Sequence, residues 1–184
     1  MNKELVGVVL ATFAVFLWGF VYWGLMSAPY APLKATNGDE AAQQALLEHF
    51  PSTGMYLIPG AYNTPEDSAR LFAAGPIAMV NFVREGHPME DPVMMGQGFM
   101  LNLLVVLLLA VVMKRALPAL PSYRKRVVFA ALVGLTAVVM IDFGDAVWWR
   151  YPWAWKMSQA LYGLVSFTIA GAVLGKFIQP AKTR

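Results

Sequence analysis

Two carboxylates near the end of an apolar stretch are the residues of this sequence best suited to chemistry. Asp142 and Asp145 stand three residues apart in IDFGDAVWWRYPWAWK, and five aromatic residues and an arginine follow them. Ionisable groups inside a membrane helix commonly mark binding sites or proton pathways. On this interpretation Asp142 binds a proton or a small ligand, Asp145 is its partner, and polar residues of other helices complete the pocket: Asn102, Gln97 and Tyr162.

A structural interpretation fits the same stretch. The helix would end near Phe143, Gly144 would supply a turn, Asp145 would cap the next segment, and Arg150 or Lys156 would neutralise the acids. Aromatic rings ordinarily anchor helix ends at the membrane interface, which favours this second account. The predicted interface anchors are Trp148, Trp149, Tyr151, Trp153 and Trp155.

The elements that carry these residues are membrane helices. Hydrophobic residues make up 58% of the 184-residue chain and charged residues only 14%, unlike an ordinary soluble domain. Four stretches reach the roughly 20 apolar residues that cross a bilayer: residues 5–26, 94–113, 127–149 and 154–177. The sequence therefore predicts an all-α polytopic membrane protein of four transmembrane helices, the first a retained anchor at residues 1–26.

The charges predict the orientation, because Lys and Arg resist translocation across the membrane. Residues 114–126 carry five basic residues and no acidic one, and the tail adds Lys176, Lys182 and Arg184. We therefore expect a cytoplasmic loop at 114–126 within the helical region 94–184, cytoplasmic termini, and a bilayer of anionic lipid as a partner. Residues 27–93 hold eight acids against three bases and are predicted to be extracytoplasmic.

The segment 27–93 reads as a small α/β-type excursion between the first two membrane helices. DEAAQQALLEHF is an amphipathic helix begun by Asn37 or Asp39; GMYLIPG is a short strand. A second helix is capped by Thr64 and stopped by Gly75, and PIAMVNFV is a second strand. Parallel pairing of the two strands and a flat cap with no sheet are both compatible with this order.

Several function classes lack the residues they need. The chain has no cysteine, which removes disulfides, thiolate catalysis and iron–sulfur ligation. The two histidines, His49 and His87, lie outside the predicted membrane helices, and the donors of REGHPMED match no standard metal-ligand spacing. No nucleophile motif and no basic patch interleaved with aromatic residues is present. We expect no enzyme activity, no cofactor, no metal and no nucleic-acid partner.

Small residues indicate close helix packing. Gly171 and Gly175 form a small-xxx-small pattern in the last helix, with Gly163 nearby, and Gly134 stands in the third helix. Such positions let helix backbones approach one another, within the chain or in a complex.

In layout the chain is similar to the claudin family, with four helices, termini inside and the largest outer segment between the first two helices. The cysteine pair and tryptophan motif of that family's outer segment are missing, so the similarity covers the topology alone. The loops are short, which suggests a bacterial cytoplasmic (inner) membrane.

The leading hypothesis for function is a non-catalytic accessory or scaffolding subunit that binds other membrane protein subunits in a larger complex, of which respiratory and photosynthetic assemblies are examples. The alternative is a small-molecule or proton-linked binding protein, or a transporter component, that uses Asp142. Transporters usually show broken helices, inverted repeats or a polar stripe that reaches both sides, and the sequence has none of these.

Overall fold

The computed structural model describes residues 2–60 and 62–180 of the chain. Among these residues, four helices are long and apolar enough to cross a membrane: Lys3–Leu25, Pro92–Ala119, Tyr123–Trp148 and Trp153–Phe177. Each overlaps one of the four stretches predicted from composition, so the prediction of four helices long and apolar enough to span a membrane is confirmed. Lys182 and Arg184, used to predict the side of the tail, lie outside the described residues.

The elements follow one another in the predicted order. In chain order they are α1 (Lys3–Gly19), α2 (Asp39–His49), β1 (Gly54–Ile58), α3 (Pro65–Ala74), β2 (Ala78–Phe82), α4 (Pro92–Ala116), α5 (Tyr123–Val138), α6 (Gly144–Trp148) and α7 (Trp153–Phe177). The chain divides into two compact units, one formed by the segments up to Leu33 and from Pro92 onward, the other by Lys34–Asp91. We call them the helical unit and the small unit.

The third spanning helix does not end near Phe143. A π turn at Val139–Phe143 joins α5 directly to α6, and Gly144 has helical angles, φ −55° and ψ −48°. The predicted turn at Gly144 is therefore wrong. Backbone hydrogen bonding continues through the wider π turn, so glycine has no break to accommodate and Asp145 lies inside a helix rather than at a cap.

Helix α7 is the centre of the helical unit. It packs against α5 and α1, and α1 packs in turn against α4, whereas α4 and α5 touch only slightly. Apolar and small residues of all four spanning helices, together with the residues that follow the second and the fourth, form one core: Val8, Ala11, Val15, Val106, Leu109, Ala110, Met113, Leu120, Ala130, Ala170, Leu174 and Ile178. Burial of these side chains against one another fixes the helices on which the polar residues lie.

The two strands of the small unit pair antiparallel, with Gly54 opposite Phe82 and Ile58 opposite Ala78. The parallel alternative is therefore wrong, as is a cap with no sheet. A parallel pair needs its crossover helix packed across a sheet face, and α3 buries none of its residues. The connection instead returns the chain directly beside Ile58.

The small unit has a small aromatic core. Phe50, which follows α2, lies 4.6 Å from the Tyr56 ring and 5.4 Å from the Phe82 ring, centroid to centroid. Thr64 caps α3 as predicted, accepting a hydrogen bond from the Asp67 amide at 3.2 Å. Gly75 ends α3 with φ 64°, a left-handed conformation that glycine adopts without steric cost.

Candidate functional site

Lys156 on α7 joins Asp142 and Asp145, the two carboxylates that the sequence places three residues apart. Its ammonium nitrogen Nζ lies 3.1 Å from Oδ1 of Asp142 and 2.8 Å from Oδ2 of Asp145. The Lys156 side chain is 7% exposed, that of Asp142 15% and that of Asp145 34%. Asp142 and Asp145 are thus the acids of a largely buried ionic cluster, and Lys156 is its cation.

The ammonium of Lys156 has a partner for each of its three hydrogens. The third is donated to Oε1 of Gln159, one turn further along α7, at 2.6 Å. The aromatic ring of Tyr151 lies 5.5 Å from the same nitrogen, within the range of a cation–π contact. We call Asp142, Asp145, Tyr151, Lys156 and Gln159 the lysine cluster.

The reversal between α6 and α7 brings the lysine cluster together. The backbone carbonyl of Asp145 accepts hydrogen bonds from the amides of Trp149, at 3.0 Å, and Tyr151, at 3.4 Å. Arg150 between them has φ 56°, a left-handed conformation uncommon for a residue with a side chain. Because α7 starts two residues after Tyr151, Lys156 lies in its first turn and reaches back to α6.

The arrangement suits an electrostatic clamp between two helices better than an open binding site. One ammonium faces two carboxylates, so the fully ionised cluster carries one net negative charge. Ion pairs in a low-dielectric surrounding are strong, and the loss of one partner leaves an uncompensated charge. Lys156 already lies on Oδ1 of Asp142, so a ligand of that oxygen would first have to displace the ammonium.

The other residues predicted for this pocket do not join it. Asn102 and Tyr162 line a separate cavity of about 150 Å³ between α1, α4 and α7. Gln97 is exposed on α4. The five residues predicted to form one ligand pocket are therefore divided between the lysine cluster, this cavity and the surface of α4.

The predicted interface anchors also divide into two groups. Trp148, Trp149 and Trp153 are exposed, as an anchor in the headgroup region would be. Trp155 instead turns inward, with its ring centroid 5.9 Å from that of Trp23. Tyr151 belongs to the lysine cluster, so the run of aromatic residues contributes to internal packing as well as to the surface.

An aromatic cluster between the end of α1 and the start of α7 was not predicted. Its rings lie 5.0 to 6.4 Å apart between centroids, and its members are Trp18, Tyr22, Trp23, Tyr30, Trp155 and Tyr162. Tyr22 is 4% exposed, and its hydroxyl donates to the Ser158 carbonyl at 2.9 Å. The spacing of Trp18 and Tyr22, four residues apart on one helix face, was the signal available in the sequence.

Arg126 is a buried polar residue whose structural role was not predicted from the sequence. Counted in the sequence among the basic residues of a loop, it lies in the first turn of α5 and is 5% exposed. Its guanidinium donates to the carbonyls of Gly175 at 3.0 Å, Leu120 at 3.0 Å and Pro121 at 3.2 Å. Arg126 therefore ties α5 to the end of α7 and to the preceding loop.

The four glycines predicted to pack helices lie where α5 meets α7. An added Cβ would lie 2.4 Å from the Phe167 Cβ at Gly134, 2.4 Å from the Ala130 Cβ at Gly171, and 3.2 Å from Val138 at Gly163. At Gly175 the nearest atoms, of Arg126 and Tyr123, would be at 3.4 Å. Their lack of a side chain permits the close approach of these two helices.

No group of three or more His, Asp or Glu side chains converges as a metal site within residues 2–60 and 62–180. The charged groups of the lysine cluster are the ammonium of Lys156 and the carboxylates of Asp142 and Asp145. Comparison of the chain with protein-family models, with curated proteins and with solved structures gives no match.

Proposed function

We propose that the chain is a non-catalytic accessory or scaffolding subunit of a larger membrane complex, with the small unit outside the cytoplasm and both termini inside. The observation that carries the proposal is the apolar surface of the small unit. Phe50 covers the sheet face that bears Tyr56 and Phe82, whereas the opposite face presents Met55, which is 62% exposed. Exposed apolar groups of this kind mark protein interaction sites.

Further apolar side chains of the small unit are exposed around its sheet: Leu47, Ile58, Tyr62, Phe72, Ile77, Val83 and Met89. Against them, Phe50 and Phe82 are the large apolar residues that the unit buries among its described residues. A unit with so small a core gains stability when a partner covers its apolar surface. Aromatic residues and methionine are also the apolar types enriched at protein interfaces.

Charge indicates the chemistry of the partner. The small unit contains eight Asp and Glu residues against Lys34, Arg70 and Arg84. Arg70 is paired with Asp67 at 3.0 Å, and Arg84 donates to the Phe50 carbonyl at 3.0 Å, so both cations are engaged within the unit. The surplus negative charge favours a partner with a basic, partly apolar surface and disfavours anionic lipid headgroups.

The proposed orientation rests on the basic residues at one end of the helical unit. Lys114 and Arg115 close α4, Arg124 and Lys125 open α5, and all four are exposed. Cations concentrated at one end of a bundle favour the cytoplasmic side, where they meet anionic lipid. The short loops favour a bacterial cytoplasmic membrane.

A ligand-binding or proton-linked role for Asp142 is the weaker alternative because Lys156 already lies on that carboxylate. Substitution of Asp142 by Asn separates the two proposals. The accessory role predicts normal assembly with the partner and unchanged transport or ligand binding by the host cell. Loss of either transport or ligand binding, with assembly intact, would favour the alternative.

The accessory role is tested with a photo-crosslinking amino acid at Met55 in the full chain in its native membrane. We expect crosslinking to one protein, and we expect the same protein to co-purify in fixed stoichiometry in gentle detergent, as measured by native mass spectrometry. The control places the crosslinker at Gln43, an exposed polar position of α2. Migration of the chain as a lone monomer, with no crosslink from Met55, would refute the proposal.

A further inference from the structure

The cavity between α1, α4 and α7 combines an apolar wall with polar groups that the chain itself leaves unsatisfied. Its lining comes from one residue of α1, three of α4 and five of α7: Val15, Asn102, Val105, Val106, Tyr162, Gly163, Ser166, Phe167 and Ala170. The cavity exists because α4 packs on α1 and barely touches α5, which leaves a gap beside α7. Val105, 36% exposed, lies at its open side.

Asn102 lies deep in the membrane-spanning part of α4. At about 1.5 Å of rise per residue, it is about 15 Å from Pro92 at one end of the helix and about 18 Å from Lys114 at the other. Within residues 2–60 and 62–180 its carboxamide makes no hydrogen bond with another side chain or with the backbone. An unsatisfied amide at this depth is costly in hydrocarbon, so a bonding partner from outside the chain is favoured.

The other polar groups that line the cavity limit which hydrogen bonds a ligand can make there. The Ser166 hydroxyl already donates to the Tyr162 carbonyl at 2.8 Å, so its hydrogen is not available to a ligand. The Tyr162 hydroxyl makes no hydrogen bond within the part of the chain that the structure describes, but it lies toward Gly19 of α1, where an added Cβ would be 3.1 Å from it, and its ring belongs to the aromatic cluster. The Asn102 carboxamide is therefore the hydrogen-bond donor available to a ligand, and no charged residue lines the cavity.

These observations define a ligand that accepts hydrogen bonds, is uncharged and reaches the middle of the bilayer. An acyl chain has no acceptor, and the ester carbonyls of phospholipids stay near the headgroups. A volume of about 150 Å³ is enough for a single six-membered ring.

We propose that this cavity binds the head of a membrane quinone, with the Asn102 amide donating to a ring carbonyl and the tail leaving past Val105 into the lipid. Only binding is proposed, and no electron transfer. This site is separate from the lysine cluster, and it does not depend on the accessory role of the chain.

The test measures binding of a decyl-substituted benzoquinone to the purified full chain in mild detergent by native mass spectrometry. The wild type is expected to saturate at one equivalent. Asn102→Leu removes the donor and should weaken binding by about tenfold, the effect of one hydrogen bond. Val105→Phe fills the open side of the cavity and should abolish binding.

Two matched variants of α4 lie outside the cavity and should bind like the wild type. Gln97→Leu removes an exposed amide, and Val112→Phe enlarges an exposed valine. Decylbenzene, which has the tail and ring without carbonyls, should bind at least tenfold more weakly than the quinone. Circular dichroism and gel filtration check that each variant is folded.

Three results would overturn the proposal. The first is the absence of saturable binding to the wild type. The second is a folded Asn102→Leu or Val105→Phe variant that binds the quinone as the wild type does. The third is equal binding of decylbenzene and the quinone, which would show that the cavity accepts any apolar ring.

Discussion

The Lys156 ammonium lies 2.8 Å from the Asp145 carboxylate and 3.1 Å from that of Asp142, so one cation of α7 holds two acids on the helix that precedes it. The lysine and the acids do not contribute equally to the charge balance of this cluster. Removal of either acid leaves a neutral ion pair, whereas removal of the lysine leaves two buried negative charges with no counterion.

Lys156→Met should therefore destabilise the protein far more than Asp142→Asn. We expect a loss of about 3 kcal/mol for the methionine variant, the low end of the range for a broken buried pair, because Asp145 is one third exposed. Asp142→Asn keeps an oxygen near Lys156 and should cost about 1 kcal/mol or less. Steric trapping in mild detergent measures the free energy of unfolding of each variant.

Rescue provides the control for the lysine prediction. The triple variant Lys156→Met, Asp142→Asn, Asp145→Asn has no charge in the cluster and should recover most of the stability lost by the single Lys156→Met change. Equal losses for Lys156→Met and Asp142→Asn would show that Lys156 does not hold the two acids together.

Arg126 should contribute as much as Lys156 to the stability of the helical unit. Arg126→Leu leaves the carbonyls of Gly175, Leu120 and Pro121 without their charged donor, and we expect a loss of about 3 kcal/mol. Arg126→Lys should recover only part of it, because an ammonium lacks the planar fork of the guanidinium. The same unfolding assay applies.

Arg124 is the matched control for Arg126. It carries the same charge two residues earlier and is exposed, so Arg124→Leu should change the free energy of unfolding by less than about 0.5 kcal/mol. Similar losses for the two arginines would show that the charge of this region, rather than the hydrogen bonds of Arg126, stabilises it.

The spanning helices and the order of elements in the small unit were accessible from the sequence because they depend on local properties. Length and apolar content predict a spanning helix, and two local signals bound α3: the Thr64 side-chain cap and the left-handed conformation of Gly75. The antiparallel pairing of Ile58 with Ala78 was not accessible, because it depends on where a long connection returns the chain.

The cluster around Lys156 could be predicted only in part. The sequence offered Arg150 and Lys156 equally as partners of the acids, since both follow within a short distance. In the structure Lys156 lies on both acids, whereas Arg150 is an exposed residue in a left-handed turn, and neither position can be inferred from the spacing of the residues. The π turn that keeps Asp142 on a continuous helix has no distinct sequence pattern.

Alanine substitutions at Gly171 and at Gly98 should change the stability of the protein in opposite directions. An added Cβ at Gly171 would lie 2.4 Å from the Ala130 Cβ, so Gly171→Ala must push α5 and α7 apart and should cost about 2 kcal/mol. At Gly98 on α4 an added Cβ has no neighbour within 4 Å. Gly98→Ala should therefore stabilise the protein by about 0.5 to 1 kcal/mol, because alanine is the better helix former.

Thermal unfolding followed by tryptophan fluorescence gives the sign of both glycine changes. The melting temperature should fall for Gly171→Ala and rise for Gly98→Ala. A fall of similar size for both variants would mean that the closeness of α5 and α7 does not decide the effect.

Glu85 in the small unit should titrate below its ordinary pKa of 4.5, because the Thr53 hydroxyl donates to its carboxylate at 2.6 Å. A carboxylate whose pKa is lower in the folded state stabilises that state above the unfolded pKa and loses this contribution as the pH falls through the folded pKa. Thr53→Val should raise the pKa of Glu85, whereas Thr53→Ser keeps the hydroxyl and the low pKa. Carboxyl NMR titration measures it, and an unchanged pKa in Thr53→Val would rule out the hydroxyl as its cause.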